Sequence, residues 1–293
     1  MDGVITVDKP QGWTSHDVVN KLRRIVGTKK IGHLGTLDPM ATGVLPLIVG
    51  RATRLAQFFT RNEKVYEGTI RFGFATDSYD ADGTALGDPQ AFSFSEADLE
   101  GWMDRFRGEL TQTPPPISAK KIGGKKAYEL ARAHVTVELK AVPVTIFEFA
   151  LLSFDGVEAK VRIHCTAGTY VRSIAHELGQ LAGCGAHLSA LRRTASGDFK
   201  IDAARTLEEL EALAGEERLQ EALVPAAKLL PEFPAEMVDA ITAGRIRQGR
   251  DFHVSPFHVR PGAKFVKAIS HEGALVAIGE AKLPNIYHPV LVL

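Results

Sequence analysis

One carboxylate, that of Asp38, lies in the most irregular part of this sequence, residues 32–46. Three glycines and two prolines in this run disfavour a helix or a strand, and Pro39 biases Asp38 toward extended backbone. An Asp-Pro pair also opens ordinary turns. The run contains the apolar residues Leu34, Leu37, Met40, Val44 and Leu45. Because a surface turn rarely carries so many apolar side chains, we interpret the run as an active-site loop that presents this carboxylate.

The rest of the sequence argues against metal, redox and triphosphate chemistry. The two cysteines, Cys165 and Cys184, match no metal-ligand spacing, so we expect buried free thiols. The sequence contains neither a P-loop nor a cluster of histidines and cysteines. A glycosidase needs a second carboxylate beside the first, and none is visible near Asp38. The sequence therefore shows no motif for a metal or a cofactor.

The elements on either side of the loop can be predicted from residue spacing. A capping-box pattern begins a helix at Thr14, and that helix should end near Gly27. Residues 51–60 have the apolar spacing of a second helix. Residues 65–74 alternate like a strand, and the two-residue period places Tyr66 on the side that faces the core.

A hairpin and a helix are predicted further along the chain. Residues 157–165 alternate strictly between apolar and polar types and should pair antiparallel with residues 146–152. A helix should follow at residues 170–181, with Gly183 at its end and Arg172 in its first turn. The positive end of a helix disfavours a cation, so Arg172 is expected to pair with a carboxylate.

The formal net charge is zero, but acids and bases are separated along the chain. We expect the acids between residues 69 and 109 to form solvated faces that point away from any polyanion. They are Asp77, Asp80, Asp82, Asp88, Glu96, Asp98, Glu100, Asp104 and Glu109. The bases form two groups, Lys21, Arg23, Arg24, Lys29 and Lys30, and Lys120, Lys121, Lys125, Lys126 and Arg132. Such groups can neutralise phosphates, so a nucleic-acid partner is compatible with zero net charge.

Composition also divides the chain. Residues 111–143 start with three consecutive prolines, are basic, and contain a predicted short helix at 127–133, so we interpret them as an insertion. Residues 231–293 contain short strands broken by glycine and proline, which is typical of a small barrel-like unit. We see no signal peptide and no apolar run of about 20 residues, so we expect a cytoplasmic protein that does not enter a membrane.

The loop closely resembles the catalytic motif of the TruB-type tRNA pseudouridine-55 synthases, in which the aspartate of a G-H-x-G-T-L-D-P string is catalytic. Four other segments resemble patterns of the same family, in the family's order. They are residues 9–15, 118–132, 168–172 and 186–193. Chance agreement in five separate blocks is very improbable.

This resemblance implies an α+β fold in which a mixed, mainly antiparallel sheet is flanked by helices. It implies a catalytic pseudouridine synthase domain at residues 1–230, with an RNA-clamping thumb at about residues 111–143. The last part, residues 231–293, occupies the place of the family's RNA-binding PUA domain.

The resemblance also implies an activity, the isomerisation of uridine 55 in the T-loop of tRNA by a monomer without cofactor. The target base must be flipped out of its stack. Asp38 is the implied catalytic residue, and Arg172 is its implied partner, which would keep the carboxylate ionised. The implied substrate-binding residues are His33 against the RNA loop, Tyr66 beneath the target base, and Tyr170 and Leu191 in the nucleotide pocket. Whether Asp38 attacks the ribose C1′ or acts as a base stays open.

Two other functions remain as alternatives. The first is an RNA-binding or tRNA-folding protein whose catalysis is secondary or lost, and the intact set of Asp38, Tyr66 and Arg172 argues against loss of activity. The second is a related synthase that acts on another RNA or with a guide RNA. The basic insertion at residues 111–143 favours a stand-alone tRNA enzyme.

Overall fold

The computed structural model describes residues 1–116, 121–122, 125–126, 140–259 and 262–293. Most of the insertion predicted at residues 111–143, including the helix predicted at 127–133, lies outside these described residues. The strands, in chain order, are β1 (Gly3–Lys9), β2 (Ile31–His33), β3 (Thr42–Val49), β4 (Lys64–Phe72), β5 (Gly108–Gln112), β6 (Lys121–Ile122), β7 (Lys125–Lys126), β8 (Val142–Phe154), β9 (Glu158–Cys165), β10 (Ala186–Ser196), β11 (Phe199–Lys200), β12 (Leu223–Pro225), β13 (Ala235–Val238), β14 (Phe252–His253), β15 (Phe265–Ser270), β16 (Leu275–Leu283) and β17 (Ile286–Val292).

The described residues contain fewer helices than strands. The α-helices of the described residues are α1 (Ser15–Val26), α2 (Glu96–Met103), α3 (Val171–Leu181), α4 (Leu207–Gly215) and α5 (Ala240–Arg247). The 3₁₀ helices are Gly50–Phe59, Asp104–Phe106, Ile201–Ala203, Leu219–Ala222 and Ala226–Lys228.

The large sheet has ten strands, and its main path runs β12-β1-β3-β10-β4-β9-β8-β5, with β2 beside β3 and β11 beside β10. Its strand pairs are antiparallel except for β3 and β10, which run parallel where Arg193 lies opposite Gly43. A Cβ at Gly43 would lie 2.2 Å from the carbonyl oxygen of Arg193, and the φ of Gly43 is 99°. This close approach therefore requires glycine. The predicted mixed, mainly antiparallel sheet is confirmed.

The strands of the large sheet carry apolar side chains on both faces, as residues of β3 illustrate. Leu45 and Leu47 belong to the main core, which also includes buried residues of α1, α2, α3 and α4. Val44 and Ile48 belong to a second core, formed with the 3₁₀ helix Gly50–Phe59 and with strands of the smaller sheet. Successive side chains of a strand point to opposite faces, so helices cover one face of the sheet, as predicted, and the C-terminal part of the chain packs on the other.

Several sequence predictions hold at residue level. The Thr14 hydroxyl accepts from the backbone N of Asp17 and completes a capping box, and α1 ends at Gly27 in the left-handed conformation. The hairpin of β8 and β9 is antiparallel, as expected. In β4 the side chain of Tyr66 is buried, which confirms that it faces the core.

Other predictions need correction. Residues 51–60 were expected to form an α-helix, but Gly50–Phe59 is a 3₁₀ helix. Its apolar residues Ala52, Leu55 and Phe58 are spaced by three, which matches three residues per turn as well as an α-helical face. The strand expected at residues 65–74 ends at Phe72, because Gly73 adopts a φ of 107°.

The C-terminal part contains a five-stranded sheet with the order β13-β15-β16-β17-β14. The strand-rich pattern predicted at residues 231–293 agrees with this sheet, whereas α5, which packs beside it, was not predicted. The boundary between domains at residue 230 stays a prediction. Phe58 of the 3₁₀ helix contacts Phe233 and Phe265 edge-on, at ring-centroid distances of 5.4 Å in both pairs. This contact joins the smaller sheet to the element that lines one side of the site described below.

Candidate active site

The loop that carries Asp38 connects β2 to β3 and is held by hydrogen bonds on both sides of the carboxylate. Leu37 is fixed by the buried hydroxyl of Ser15, which accepts from its backbone N at 2.8 Å and donates to its carbonyl oxygen at 3.0 Å. The Pro39 carbonyl accepts from the backbone N of Gly12 at 2.8 Å and from Lys9 Nζ at 3.2 Å. Asp38 is therefore presented between two immobilised neighbours.

Lys9 is a fully buried cation beneath this loop. In addition to Pro39, its Nζ donates to the carbonyl oxygens of Pro10 at 2.9 Å and Trp13 at 2.6 Å. Burial lowers the pKa of Lys9 to about 8, and the charge of Asp38 opposes that shift. The sequence suggested no such role for Lys9, although it lies in the first of the family-like segments.

Asp38 and Arg172 form an ion pair, as predicted, with 2.9 Å between Arg172 Nε and Asp38 Oδ2. Arg172 lies in the first turn of α3 and is almost fully buried, whereas the Asp38 side chain keeps 35% of its surface exposed toward a cavity. Burial raises the pKa of Asp38, and the charge of Arg172 lowers it without fully offsetting that effect. The expectation that Arg172 favours the ionised form is correct in direction, but the net pKa is raised.

Asp80 completes this charge network, and the sequence interpretation of it was wrong. We expected a solvated acid, yet Asp80 is buried, with its Oδ2 3.3 Å from Arg172 Nη1. The same Nη1 donates to the carbonyl oxygen of Ser78 at 3.0 Å, and the Ser78 hydroxyl donates to Asp80 Oδ1. The charge of Asp80 also raises the pKa of Asp38. Acidic composition alone could not distinguish this buried carboxylate from its exposed neighbours.

A cavity of about 490 Å³ opens above Asp38. It is lined by every residue that the sequence analysis selected for the site, namely His33, Asp38, Tyr66, Tyr170, Arg172 and Leu191. Tyr66 and Leu191 come from the adjacent strands β4 and β10. Burial raises the pKa of the Tyr66 phenol, so this phenol is neutral near pH 7. The cavity thus joins one carboxylate to an aromatic and aliphatic wall.

Two of the predicted residues lie at the edges of the cavity. His33 ends β2 with an exposed side chain, and desolvation together with the charge of Arg193 lowers its pKa, which favours the neutral ring. Tyr170 is the N-cap residue of α3. Its backbone N donates to Gln112 Oε1 at 2.7 Å, and its carbonyl oxygen accepts from Gln112 Nε2 at 3.0 Å. Gln112, a buried residue that sequence reasoning missed, therefore ties the start of the predicted insertion to the cavity wall.

Two buried cations in the cavity wall were also missed. Lys64 begins β4, and burial lowers its pKa to about 8, with the charge of Arg193 as the next cause. Arg193 lies in β10 and is 1% exposed. Lys64 shows no sequence signal, and Arg193 shows none beyond its place in the family-like segment at residues 186–193, because burial of a cation depends on what packs around it.

Potential metal ligands are not grouped at this site or elsewhere in the described parts of the chain, where no three His, Cys, Asp or Glu residues are placed to hold a metal ion. Both cysteines are buried and free, as expected. None of the helices in the described ranges is both long and apolar enough to span a membrane.

Comparison with known proteins agrees with this geometry. A family model described as "TruB family pseudouridylate synthase (N terminal domain)" matches residues 23–171, and one described as "tRNA pseudouridylate synthase B C-terminal domain" matches residues 172–231. The chain belongs to the TruB pseudouridylate synthase family. TruB-family enzymes isomerise uridine in tRNA.

Individual relatives extend the similarity over the whole chain. A protein of Solibacter usitatus named tRNA pseudouridine synthase B is 60% identical over 293 residues, covering all of both chains. A protein of the same name from Thermobifida fusca is 44% identical and covers 95% of this chain and 94% of its own. Among solved structures, the crystal structure of a Cbf5-Nop10-Gar1 complex contains a chain that superposes with a TM-score of 0.73 at 29% identity. This match covers 98% of the present chain and 83% of the other.

Proposed function

We propose that this protein isomerises uridine 55 in the T-loop of tRNA to pseudouridine. The reaction breaks the bond between uracil N1 and ribose C1′, turns the base within the site, and joins C5 to C1′. A proton leaves C5 and a proton is placed on N1, so the net change is an isomerisation. Such chemistry demands neither an oxidant nor a triphosphate.

The observation that carries the proposal is the ion pair of Asp38 and Arg172 at the wall of the cavity. A cavity of about 490 Å³ is in the size range of small-molecule sites and accommodates a flipped nucleotide. The Asp38 carboxylate of this pair is partly exposed to the cavity, and we propose that the ribose C1′ of the flipped nucleotide binds beside it. Attack on C1′ and action as a base both require the ionised form of Asp38, which Arg172 favours.

The remaining wall residues receive roles that suit their positions. The ring of Tyr66 offers a face on which the uracil stacks, and its neutral phenol can relay the proton from C5. Leu191 and Tyr170 enclose the nucleotide. His33, at the edge of the cavity, inserts into or supports the RNA loop. Its imidazole ring is neutral, so less free energy is needed to remove it from water.

The burial and hydrogen bonding of a second carboxylate, that of Asp80, favour isomerisation over hydrolysis. An inverting glycosidase uses a second acid to activate water, at about 6.5–9.5 Å from the first. Asp80 is the acid bound to the same arginine as Asp38, but its oxygens are engaged by Ser78, Arg172 and the backbone N of Asp82. It is buried and so is not available as a general base for water.

Binding of the T-arm stem-loop involves more than the cavity. We assign residues 111–143 as the clamp that closes on the RNA and residues 231–293 as an RNA-binding domain. The link between Gln112 and Tyr170 supports the first assignment, because it connects the base of the insertion to the cavity wall. The proposal includes a cytoplasmic location, where tRNA is processed, and action as a monomer.

The decisive experiment measures tritium release from C5 of uridine in a T-arm stem-loop transcript, with wild type, Asp38→Asn and Asp88→Asn. Asp88 is exposed, so its variant is the control. We expect wild-type rates for the control and no measurable release for Asp38→Asn, with transcript binding retained. Release by Asp38→Asn would refute the assigned chemistry.

The alternative functions are tested by a second measurement. Modified positions are mapped in RNA from a strain that lacks this gene, and we expect loss of pseudouridine at the T-loop uridine. Loss at a different RNA would identify a synthase with another substrate. An unchanged RNA, together with impaired tRNA folding, would identify a folding protein.

A further inference from the structure

Arg193 is a buried guanidinium in the cavity wall, and its contacts differ from those of Arg172. We propose that Arg193 is a positioning residue, whose guanidinium group holds both ends of the Asp38 loop and aligns that loop with Tyr66. This inference rests on the proposed function, because Asp38 and Tyr66 are the two groups between which the flipped uridine would lie.

The hydrogen bonds of Arg193 reach the start of the loop and the beginning of β3, the strand that follows the loop. Nη2 donates to the carbonyl oxygen of Gly35 at 3.0 Å, and Nη1 donates to that of Thr36 at 3.2 Å. Nε donates to the carbonyl oxygen of Val44 at 2.7 Å, on the far side of Asp38 in the sequence. One rigid planar group therefore fixes the separation between the two ends of the loop.

The same residue is the cross-strand partner of Tyr66. In the pairing of β10 with β4, Arg193 lies directly opposite Tyr66, and both side chains line the cavity. An interaction between the guanidinium and the phenol also favours the ionised form of Tyr66, against the effect of burial. Arg193 thus contacts the loop that carries Asp38 and the strand that carries Tyr66.

The environment of Arg193 shows why a different cation cannot replace it. Among the residues that the structure describes, no carboxylate oxygen lies within 4 Å of its nitrogens, so carbonyl oxygens stabilise the charge. Three donors point to three carbonyls from one plane. A lysine at this position keeps the charge but offers a single nitrogen, which cannot reach both ends of the loop.

The test uses Arg193→Lys, with Arg192→Lys as the matched control. Arg192 is the preceding residue in β10, but it is partly exposed and pairs with Asp8 at 2.7 Å. We expect Arg193→Lys to lower the single-turnover rate on the T-arm transcript by about 100-fold, as for a misplacement of about 1 Å. The dissociation constant should stay within about threefold, and Arg192→Lys should react at the wild-type rate.

Three outcomes of this comparison are distinguishable. Inactive wild type and inactive Arg192→Lys would refute the proposed function rather than the inference. A wild-type rate for Arg193→Lys, with both controls active, would refute the inference. A double-mutant cycle with Tyr66→Phe separates positioning from general structural damage, because coupled residues give non-additive losses. Additive losses would refute the alignment of the loop with Tyr66.

A second variant keeps the inference testable if Arg193→Lys does not fold. Gly35 has a φ of 136°, a backbone conformation that a residue with a Cβ adopts only under strain, and it lies beside Arg193. Gly35→Ala should shift the carbonyl that Arg193 holds and lower the rate while binding is retained. Gly156→Ala is the control, since Gly156 also has a positive φ, of 94°, but lies in the β8–β9 turn with nothing within 4 Å of its Cβ position. A wild-type rate for Gly35→Ala would refute the inference.

Discussion

Replacement of Arg172 by methionine is the sharpest test of the charge arrangement at the site. Methionine fills similar space but removes the cation that lies 2.9 Å from Asp38 Oδ2 and 3.3 Å from Asp80 Oδ2. Two carboxylates would then share a buried region without a positive charge between them. Because burial and Asp80 already raise the pKa of Asp38, loss of Arg172 must raise that pKa further.

The size of the effect follows from the distances. Both charges are delocalised, so about 4 Å is a suitable separation of charge centres, and an effective dielectric constant of about 20 gives an attraction of about 4 kcal/mol. Each 1.36 kcal/mol corresponds to about tenfold in population or rate, so we expect roughly a thousandfold slower reaction at neutral pH. Part of this loss is protonation of Asp38, and that part must depend on pH.

The assay is single-turnover tritium release from the T-arm transcript across the neutral and mildly alkaline range. As pH rises, Asp38 ionises in the variant as well, so the ratio of wild-type to variant rates should narrow. Arg71→Met is the control, because Arg71 is half exposed and makes only a long surface pair of 3.6 Å with Glu158. A ratio that does not change with pH would refute the electrostatic reasoning, and an unchanged rate would refute any role of Arg172.

Three further predictions concern the same network. Asp80→Asn should lower the rate about 10- to 100-fold because Arg172 loses a partner. It should also move the acid limb of the pH–rate profile to lower pH, because the charge of Asp80 raises the pKa of Asp38. An acid limb at higher pH would contradict the assigned effect of Asp80 on that pKa. Ser15→Ala leaves the backbone N and carbonyl of Leu37 without their hydrogen-bond partner, so the free energy of unfolding measured in urea should fall by about 1–3 kcal/mol. An unchanged urea midpoint would contradict the anchoring role of Ser15. Asp38→Asn should raise the melting temperature near pH 7, because the raised pKa of Asp38 means that the folded state binds the proton more tightly and that ionisation of Asp38 opposes folding. The increase in melting temperature should become smaller as the pH falls through the pKa of Asp38 in the folded state. An increase that became larger in acid would contradict this reasoning.

The sequence predictions are most accurate where the interactions join residues that are close together in the chain. The capping box at Thr14 and the alternation along β4 depend on residues a few positions apart, and these predictions are confirmed. The irregular run predicted at residues 32–46 is a loop only at 34–41, because its two ends pair as strands β2 and β3. The spacing of residues 51–60 is also local, but a period of three suits a 3₁₀ helix and one face of an α-helix equally. Local spacing therefore predicted a helix at residues 51–60 but could not show whether it is an α-helix or a 3₁₀ helix.

The sequence by itself determined which carboxylate is presented and part of the cavity wall. Glycine and proline restrict the loop around Asp38 directly through backbone sterics, and the strand period places Tyr66 on its face without reference to the rest of the fold. The family-like segments added Arg172 and its pairing with Asp38, which the ion pair of 2.9 Å confirms.

Only the tertiary structure decided which charged groups are buried. In the sequence, Asp80 does not differ from its exposed acidic neighbours, and Arg193 does not differ from Arg192. In the structure, Arg172 of α3 pairs with Asp80, and the Asp38 loop packs on Arg193. Arg193 and Thr36 are 157 residues apart in the chain, so no local pattern relates them. The ionisation of a side chain depends on the solvent and charge that surround it, and those surroundings are assembled from distant segments.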